Sequence, residues 1–178
     1  MEARGLRLFV ALPLPPEAQA ALASWRLTLP PLEGWSASEG LHLTLAFLGP
    51  RPAAALPGLE AIAAAVASRH AAFDLGTAGL GTFTGGQTTR LLWLGLAPAP
   101  ALEALVADLR GAFAAAGEGF DPKPFRAHLT LARFRQAQRL DAFGDPPPLR
   151  FAAERLVLFE SRPQGRYTPL RAWNLRRV

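Results

Sequence analysis

Two stretches of the chain carry the same five residues, His42-Leu43-Thr44-Leu45-Ala46 and His128-Leu129-Thr130-Leu131-Ala132, and they hold two of its three histidines. Imidazole titrates near ~6.5, so around neutrality one copy can accept a proton while the other, protonated, donates one. Such a pair suits in-line displacement at phosphorus. One histidine deprotonates the attacking oxygen, the other protonates the leaving oxygen, and each transfer is worth roughly 10²- to 10⁴-fold in rate. Thr44 and Thr130 can donate hydroxyl hydrogen bonds to the non-bridging oxygens and stabilise their charge without a metal ion. Even in a chain this rich in Leu and Ala, a chance repeat of the string is on the order of one in a thousand.

Other chemistries find less support. Metal-assisted hydrolysis needs clustered His and carboxylate ligands. Glu39 and Asp121 are isolated loop acids, so neither a metal nor any other cofactor is expected. A serine nucleophile lacks its G-x-S-x-G setting, and Ser161 sits in a turn-like SRPQG segment. The stretch Gly81 to Thr88 matches phosphate-loop spacing except that Gln87 stands where lysine is required, and its Gly85-Gly86 reads better as a hairpin turn. His70, the third histidine, reads as a residue near a helix end. Cysteine is absent, which removes thiolate chemistry and disulfides and fits a reducing cytoplasm.

The histidines need elements to hold them. Arg7 to Leu12 reads as a strand, Pro15-Pro16-Glu17 opens a helix running toward Leu29, and the alternation from Leu41 to Phe47 is a second strand. A helix follows from about Pro57 to Ala71, then extended chain from Phe73 to Phe83. The order then repeats: a strand at Leu91 to Leu96, a helix from Pro100 to about Ala116 closed by Gly117, and a strand from Ala127 to Phe134. Arg150 to Glu160 and Tyr167 to Leu175 read as two closing strands. Side chains alternate along a strand, so His42, Thr44 and Ala46 share one face, as do His128, Thr130 and Ala132. Arg126 shares the parity of His128 and Arg133 has the opposite parity.

The two histidines lie 86 residues apart, close to half the 178-residue chain. This pattern predicts a single bilobal α+β domain with an approximate twofold, lobes near 1–89 and 90–178, possible strand exchange between them, two antiparallel-leaning sheets facing a central cleft, and helices outside. Charge is uneven: residues 1 to 89 carry 5 Arg against 6 acids, and residues 90 to 178 carry 13 Arg and one Lys against 8 acids. An arginine-rich half suits phosphate and nucleic acid. No run of eighteen apolar residues exists, so no membrane span is expected. The apolar stretch from Arg4 to Leu14 is preceded by Glu2 and cut by Pro13, Pro15 and Pro16, which favours a strand over a leader.

Taken together, RLFVALPLP, LHLTLAFLG, TTRLLWLGL, AHLTLARF and the closing ESRPQGRYTPLRAWNL resemble the 2H phosphoesterases, in particular RNA 2′,3′-cyclic phosphodiesterases formerly called 2′-5′ RNA ligases. The resemblance implies a bilobal fold, no metal, and hydrolysis of RNA 2′,3′-cyclic phosphate ends to 2′-phosphates, with reversible 2′-5′ joining as a further activity. It implies His42 as the acid on the 3′ oxygen and His128 as the base on water, although the residues themselves do not choose between the two assignments. It also implies a phosphate contact from Arg133; Arg126 is the reserve candidate by its strand parity, and Phe9 is a candidate for stacking on a base or ribose. Ala127 stands where the family commonly has proline. RNA ends are the expected partner, and nothing implies an obligate protein partner. Three rival readings remain on the residues alone: a related enzyme acting on another small cyclic nucleotide, a non-catalytic module that binds RNA or phosphate, and a metal-dependent phosphodiesterase.

Overall fold

The computed structural model describes residues 5–83 and 86–177; the tip of the expected glycine turn, at 84–85, lies outside them, as do Glu2 and Arg4. The described residues form eight strands and three α-helices: β1 (Leu6–Pro13), α1 (Pro16–Arg26), β2 (His42–Arg51), α2 (Leu56–Arg69), β3 (Phe73–Gly81), β4 (Thr88–Leu96), α3 (Pro100–Ala115), β5 (His128–Arg139), β6 (Arg150–Ala153), β7 (Arg155–Arg162) and β8 (Arg166–Asn174). Each helix has proline in its first turn, where the missing N–H costs nothing. The first ends at Arg26, three residues short of Leu29, and Leu27 stays exposed.

The strands form two four-stranded antiparallel sheets, in the orders β2-β1-β7-β8 and β5-β4-β3-β6. Neither sheet is built from one half of the chain. β3 belongs to the second sheet, and β7 and β8 return to the first. The segment 150–160, expected as one strand, is two: β6 pairs with β3 in the second sheet and β7 pairs with β1 in the first. The break falls at Glu154: Ala153 is the last residue paired with β3, and the Glu154 carbonyl already accepts from Leu175 N–H in register with the β7–β8 pairs. A single apolar core draws on both sheets, from Leu8, Val10 and Leu158 to Leu92, Leu94 and Leu129. α2 packs on β7, β8 and α3.

Both motif strands lie at sheet edges, β2 in one and β5 in the other, and the two edges approach each other. A bare edge is a liability, and each is covered by the loop that precedes the other motif. Gly34 to Ser36, ahead of the first motif, docks on β5: Ser36 N–H donates to Leu131 O at 2.8 Å, and Arg133 N–H donates to Gly34 O at 2.7 Å. The loop ahead of the second motif docks on β2, where Asp121 N–H donates to Phe47 O at 2.8 Å and Arg51 binds the Gly119 carbonyl. The halves are crossed over one another.

Candidate active site between two edge strands

Each motif strand contains a bulge at the same place. Along β2, Thr44 faces Ala11 and Ala46 faces Val10, leaving Leu45 as the additional residue. Along β5, Thr130 faces Trp93 and Ala132 faces Leu92, leaving Leu131 as the additional residue. An additional residue reverses the alternation beyond it. Ala46 and Ala132 are therefore fully buried rather than lying on the histidine face, and the residues that rejoin that face are Phe47 and Arg133. This is how Arg133, of opposite parity to His128 by simple counting, comes to line a cleft with His42, Thr44 and Thr130. The carbonyls of the two bulge leucines are satisfied differently: Leu131 O by Ser36 N–H and Leu45 O by the Arg110 guanidinium at 3.0 Å.

The imidazoles are held alike. His42 Nδ1 lies 2.6 Å from Gly40 O and His128 Nδ1 lies 2.7 Å from Arg126 O, each the carbonyl two residues back. A carbonyl only accepts, so Nδ1 carries the hydrogen in both rings and Nε2 is left to take up or release a proton. Burial pushes both imidazoles below their ordinary pKa, opposed in each by the carbonyl hydrogen bond. The charge of His128 lowers His42 further, and Arg126 and Arg133 lower His128 further. The two rings are thus within electrostatic reach, and protonating one disfavours protonating the other.

Their surroundings differ. His42 sits in an aromatic nest, with Phe9 at 4.8 Å, Phe159 at 5.7 Å and the edge of Tyr167 at 4.7 Å between ring centroids. Phe9 is only 3% exposed and is stacked on Phe159 at 5.2 Å, so it backs the imidazole and has no free face for a base. Arg7, Arg133 and Arg162 border this part of the cleft, a depression of about 440 Å³. His128 opens instead onto a smaller depression of about 180 Å³ that also takes in Thr44, Phe47, Phe83 and Arg126. Half-exposed Phe83 stands edge-on to it at 5.0 Å, with the Arg126 guanidinium over Phe83 at 5.9 Å. Arg126 therefore lies on the outer side of His128, away from Arg133. Among the described residues no three His, Asp or Glu side chains are grouped to hold a metal ion, and no helix is long and apolar enough to cross a membrane.

Sequence reasoning missed Tyr167, Phe83, Trp93, Arg7 and Arg162. Tyr167 is the only tyrosine of the chain and falls in a closing segment already noted for its likeness to the family, which is the one signal that pointed to it. His70 is bound to Asp108 at 2.9 Å, together with Arg69, at the junction of α2 with α3, outside the cleft.

An α+β fold of two antiparallel sheets meeting at paired HLTL strands places the chain in the 2′-5′ RNA ligase superfamily, whose family model matches residues 14–165; the chain belongs to that family. Among curated relatives it is 37% identical over 188 residues to the RNA 2′,3′-cyclic phosphodiesterase of Thermus thermophilus, covering 96% of this chain and 91% of that one. It is 35% identical over 178 residues to the enzyme of the same name from Escherichia coli, covering 95% and 96%. A third, from Geobacillus stearothermophilus, is 37% identical over 133 residues; there the match takes in 73% of this chain and 42% of the relative. Of solved structures, Escherichia coli LigT complexed with 3′-AMP superposes with a TM-score of 0.81 at 33% identity, covering 96% of this chain and 98% of that one. TT0787 of Thermus thermophilus superposes with 0.80 at 32% identity over the same shares.

Proposed function

We propose that this protein hydrolyses 2′,3′-cyclic phosphate ends of RNA to 2′-phosphates by a two-histidine acid–base mechanism that needs no metal. The observation that carries the reading is the matched pair of imidazoles, each with Nδ1 tied to a carbonyl and Nε2 left for proton transfer, set on facing edge strands. The names of the relatives, RNA 2′,3′-cyclic phosphodiesterases, and the 3′-AMP complex of the Escherichia coli protein support the substrate class.

In the proposed reaction His128 Nε2 takes a proton from water as its oxygen bonds to phosphorus. The bond from phosphorus to the 3′ oxygen breaks, and that oxygen takes the proton of His42 Nε2. Thr44 and Thr130 donate to the non-bridging oxygens, and Arg133 neutralises their charge. His128 is the base because it faces the more open depression, where water enters, while His42 is enclosed by Phe159 and Tyr167. The same steps with an RNA 5′-hydroxyl in place of water form a 2′-5′ linkage. We place the enzyme in the cytoplasm, consistent with the absence of cysteine.

The test is to incubate the purified protein, in EDTA, with an RNA oligonucleotide ending in a 2′,3′-cyclic phosphate and to map the product. A 2′-phosphate is expected. Full turnover by both His42→Ala and His128→Ala, or loss of turnover in EDTA alone, overturns the mechanism.

A further inference from the structure

A cavity of about 780 Å³, separate from the histidine cleft, lies between α3 and the second sheet. It is the third in a row. The His42 depression shares Thr44 and Phe47 with the His128 depression, which in turn shares Arg110, Phe125 and Arg126 with this pocket. The His42 depression and the pocket have no residue in common, so His128 stands between them.

The pocket is built around Trp93. Trp93 faces Thr130 and Gly95 faces His128 across the β4–β5 ladder, so the indole sits beside the second motif, with its ring centroid 6.2 Å from that of His128. It lies down on the sheet because two glycines leave room. A Cβ at Gly81 would come within 2.2 Å of indole Cη2, and one at Gly95 within 3.1 Å of Cζ3. Phe83 flanks the ring at 5.8 Å, Leu102, Val106 and Phe125 complete the apolar walls, and Arg110 and Arg126 stand on the side toward His128. The indole Nε1–H is buried and, among the described residues, has no hydrogen-bond partner. A flat ring and apolar walls match a nucleobase, which offers a π-face.

We infer that this pocket binds the base of the nucleotide that brings a 5′-hydroxyl to the cyclic phosphate, the nucleophile side of 2′-5′ joining. The inference rests on the proposed function and its assignment of His128 as base. In-line displacement puts attacking and leaving oxygens on opposite sides of phosphorus. The leaving 3′ oxygen lies at His42, so the attacking oxygen lies at His128, and whatever carries it extends beyond His128 toward Trp93. The 5′ oxygen bonds to phosphorus and passes its proton to His128 Nε2. The bond to the 3′ oxygen breaks, that oxygen receives the proton of His42 Nε2, and a 2′-5′ diester with a free 3′-hydroxyl results. Water needs no base pocket; a nucleotide does.

The experiment supplies an RNA ending in a 2′,3′-cyclic phosphate together with a second oligonucleotide bearing a 5′-hydroxyl, and measures the ratio of joined to hydrolysed product. Loss of one stacked base lowers affinity on the order of tenfold or more, so Trp93→Ala is expected to lower that ratio about tenfold, and Trp93→Phe to restore most of it. Ala107→Trp provides a second variant, because Ala107 is exposed on α3 and lines the pocket; its larger side chain fills the space without disturbing the core and is expected to lower the ratio likewise. A ratio unchanged in both variants overturns the inference, since damage to the fold alone lowers both products together. A wild-type protein that hydrolyses the end but never joins also overturns it while leaving the hydrolytic reading intact. Failure to hydrolyse at all overturns the functional reading and this inference with it.

Discussion

The two halves of the site share a backbone and differ in what stands around it. Around His42 and His128 the chain repeats the same string, the same bulge and the same hydrogen bond from Nδ1 to the carbonyl two residues back. The walls then diverge. Five residues beyond each histidine the bulge presents Phe47 in one half and Arg133 in the other. His42 is enclosed by Phe9, Phe159 and Tyr167, whereas His128 has half-exposed Phe83 and the Trp93 pocket beside it. The repeated string sets the tautomer and the aim of each imidazole, and the unrepeated neighbours decide how each one meets water and charge. In the proposed reaction, symmetry supplies two proton carriers and departure from symmetry gives them separate tasks.

That comparison can be broken most forcefully at the imidazoles. His42→Ala and His128→Ala are each expected to lower kcat by roughly 10²- to 10⁴-fold, with the double variant no worse than the poorer single one, because the two act as a unit. Additive losses in steady-state kinetics on a cyclic-ended oligonucleotide would show two independent sites. Next comes the position five residues on. Arg133→Ala removes the proposed phosphate contact, which as a charged hydrogen bond is worth roughly 1.5 to 3 kcal/mol, and should raise KM about tenfold or more, while Phe47→Ala has a smaller effect on KM.

The two docked loops make a comparison in stability. Gly34 has φ +105°, and a Cβ there would come within 2.3 Å of Arg133 O, whereas the nearest atom to a Cβ at Gly119 is Arg51 Nη2 at 3.7 Å. Gly34→Ala should therefore cost about 1 to 3 kcal/mol, seen as a lower midpoint of thermal unfolding, and Gly119→Ala close to nothing. Equal losses would mean that the two crossings are fastened alike.

The smallest effect is in pH. Both imidazoles lie below their ordinary value because burial disfavours the charged form, so each takes up its proton only as pH falls past ~6.5 toward the lowered value. The kcat/KM profile should be a bell with its maximum on the acid side of ~6.5, its limbs belonging to the pair. Tyr167→Leu, by admitting water to His42, should raise the NMR titration midpoint of that ring and leave His128 nearly where it was. Equal movement of both rings would show that the aromatic nest is not what separates them.

Much of this was legible in the sequence because it is local. Strand alternation, proline-led helices and a repeated string identify β1, α1 and β2 and their counterparts β4, α3 and β5, with His42, Thr44 and Thr130 lining one depression and His128 lining the one that adjoins it at Thr44 and Phe47. Counting by twos failed at Leu45 and Leu131, because a bulge is a matter of how the partner strand pairs and the string itself does not announce it. The same failure misplaced Ala46 and Ala132 and left Arg133 with the wrong parity. Glu154 looked like one more residue of a strand because nothing near it records that the chain changes sheets there. Phe9 read as a stacking ring because its burial is imposed by Phe159, which lies 150 residues further along the chain.

The crossing of the two loops also has a mechanical meaning. Since Gly34 and Ser36 are fastened to β5, and Asp121 and the Gly119 carbonyl to β2, neither lobe can swing outward without tearing the other's fastening. The two loops act as a buckle, fastened by main-chain bonds and by the Arg51 side chain on the Gly119 carbonyl. In hydrogen exchange, the amides of Ser36, Asp121 and Arg133 should then be released together, in one opening event, rather than lobe by lobe.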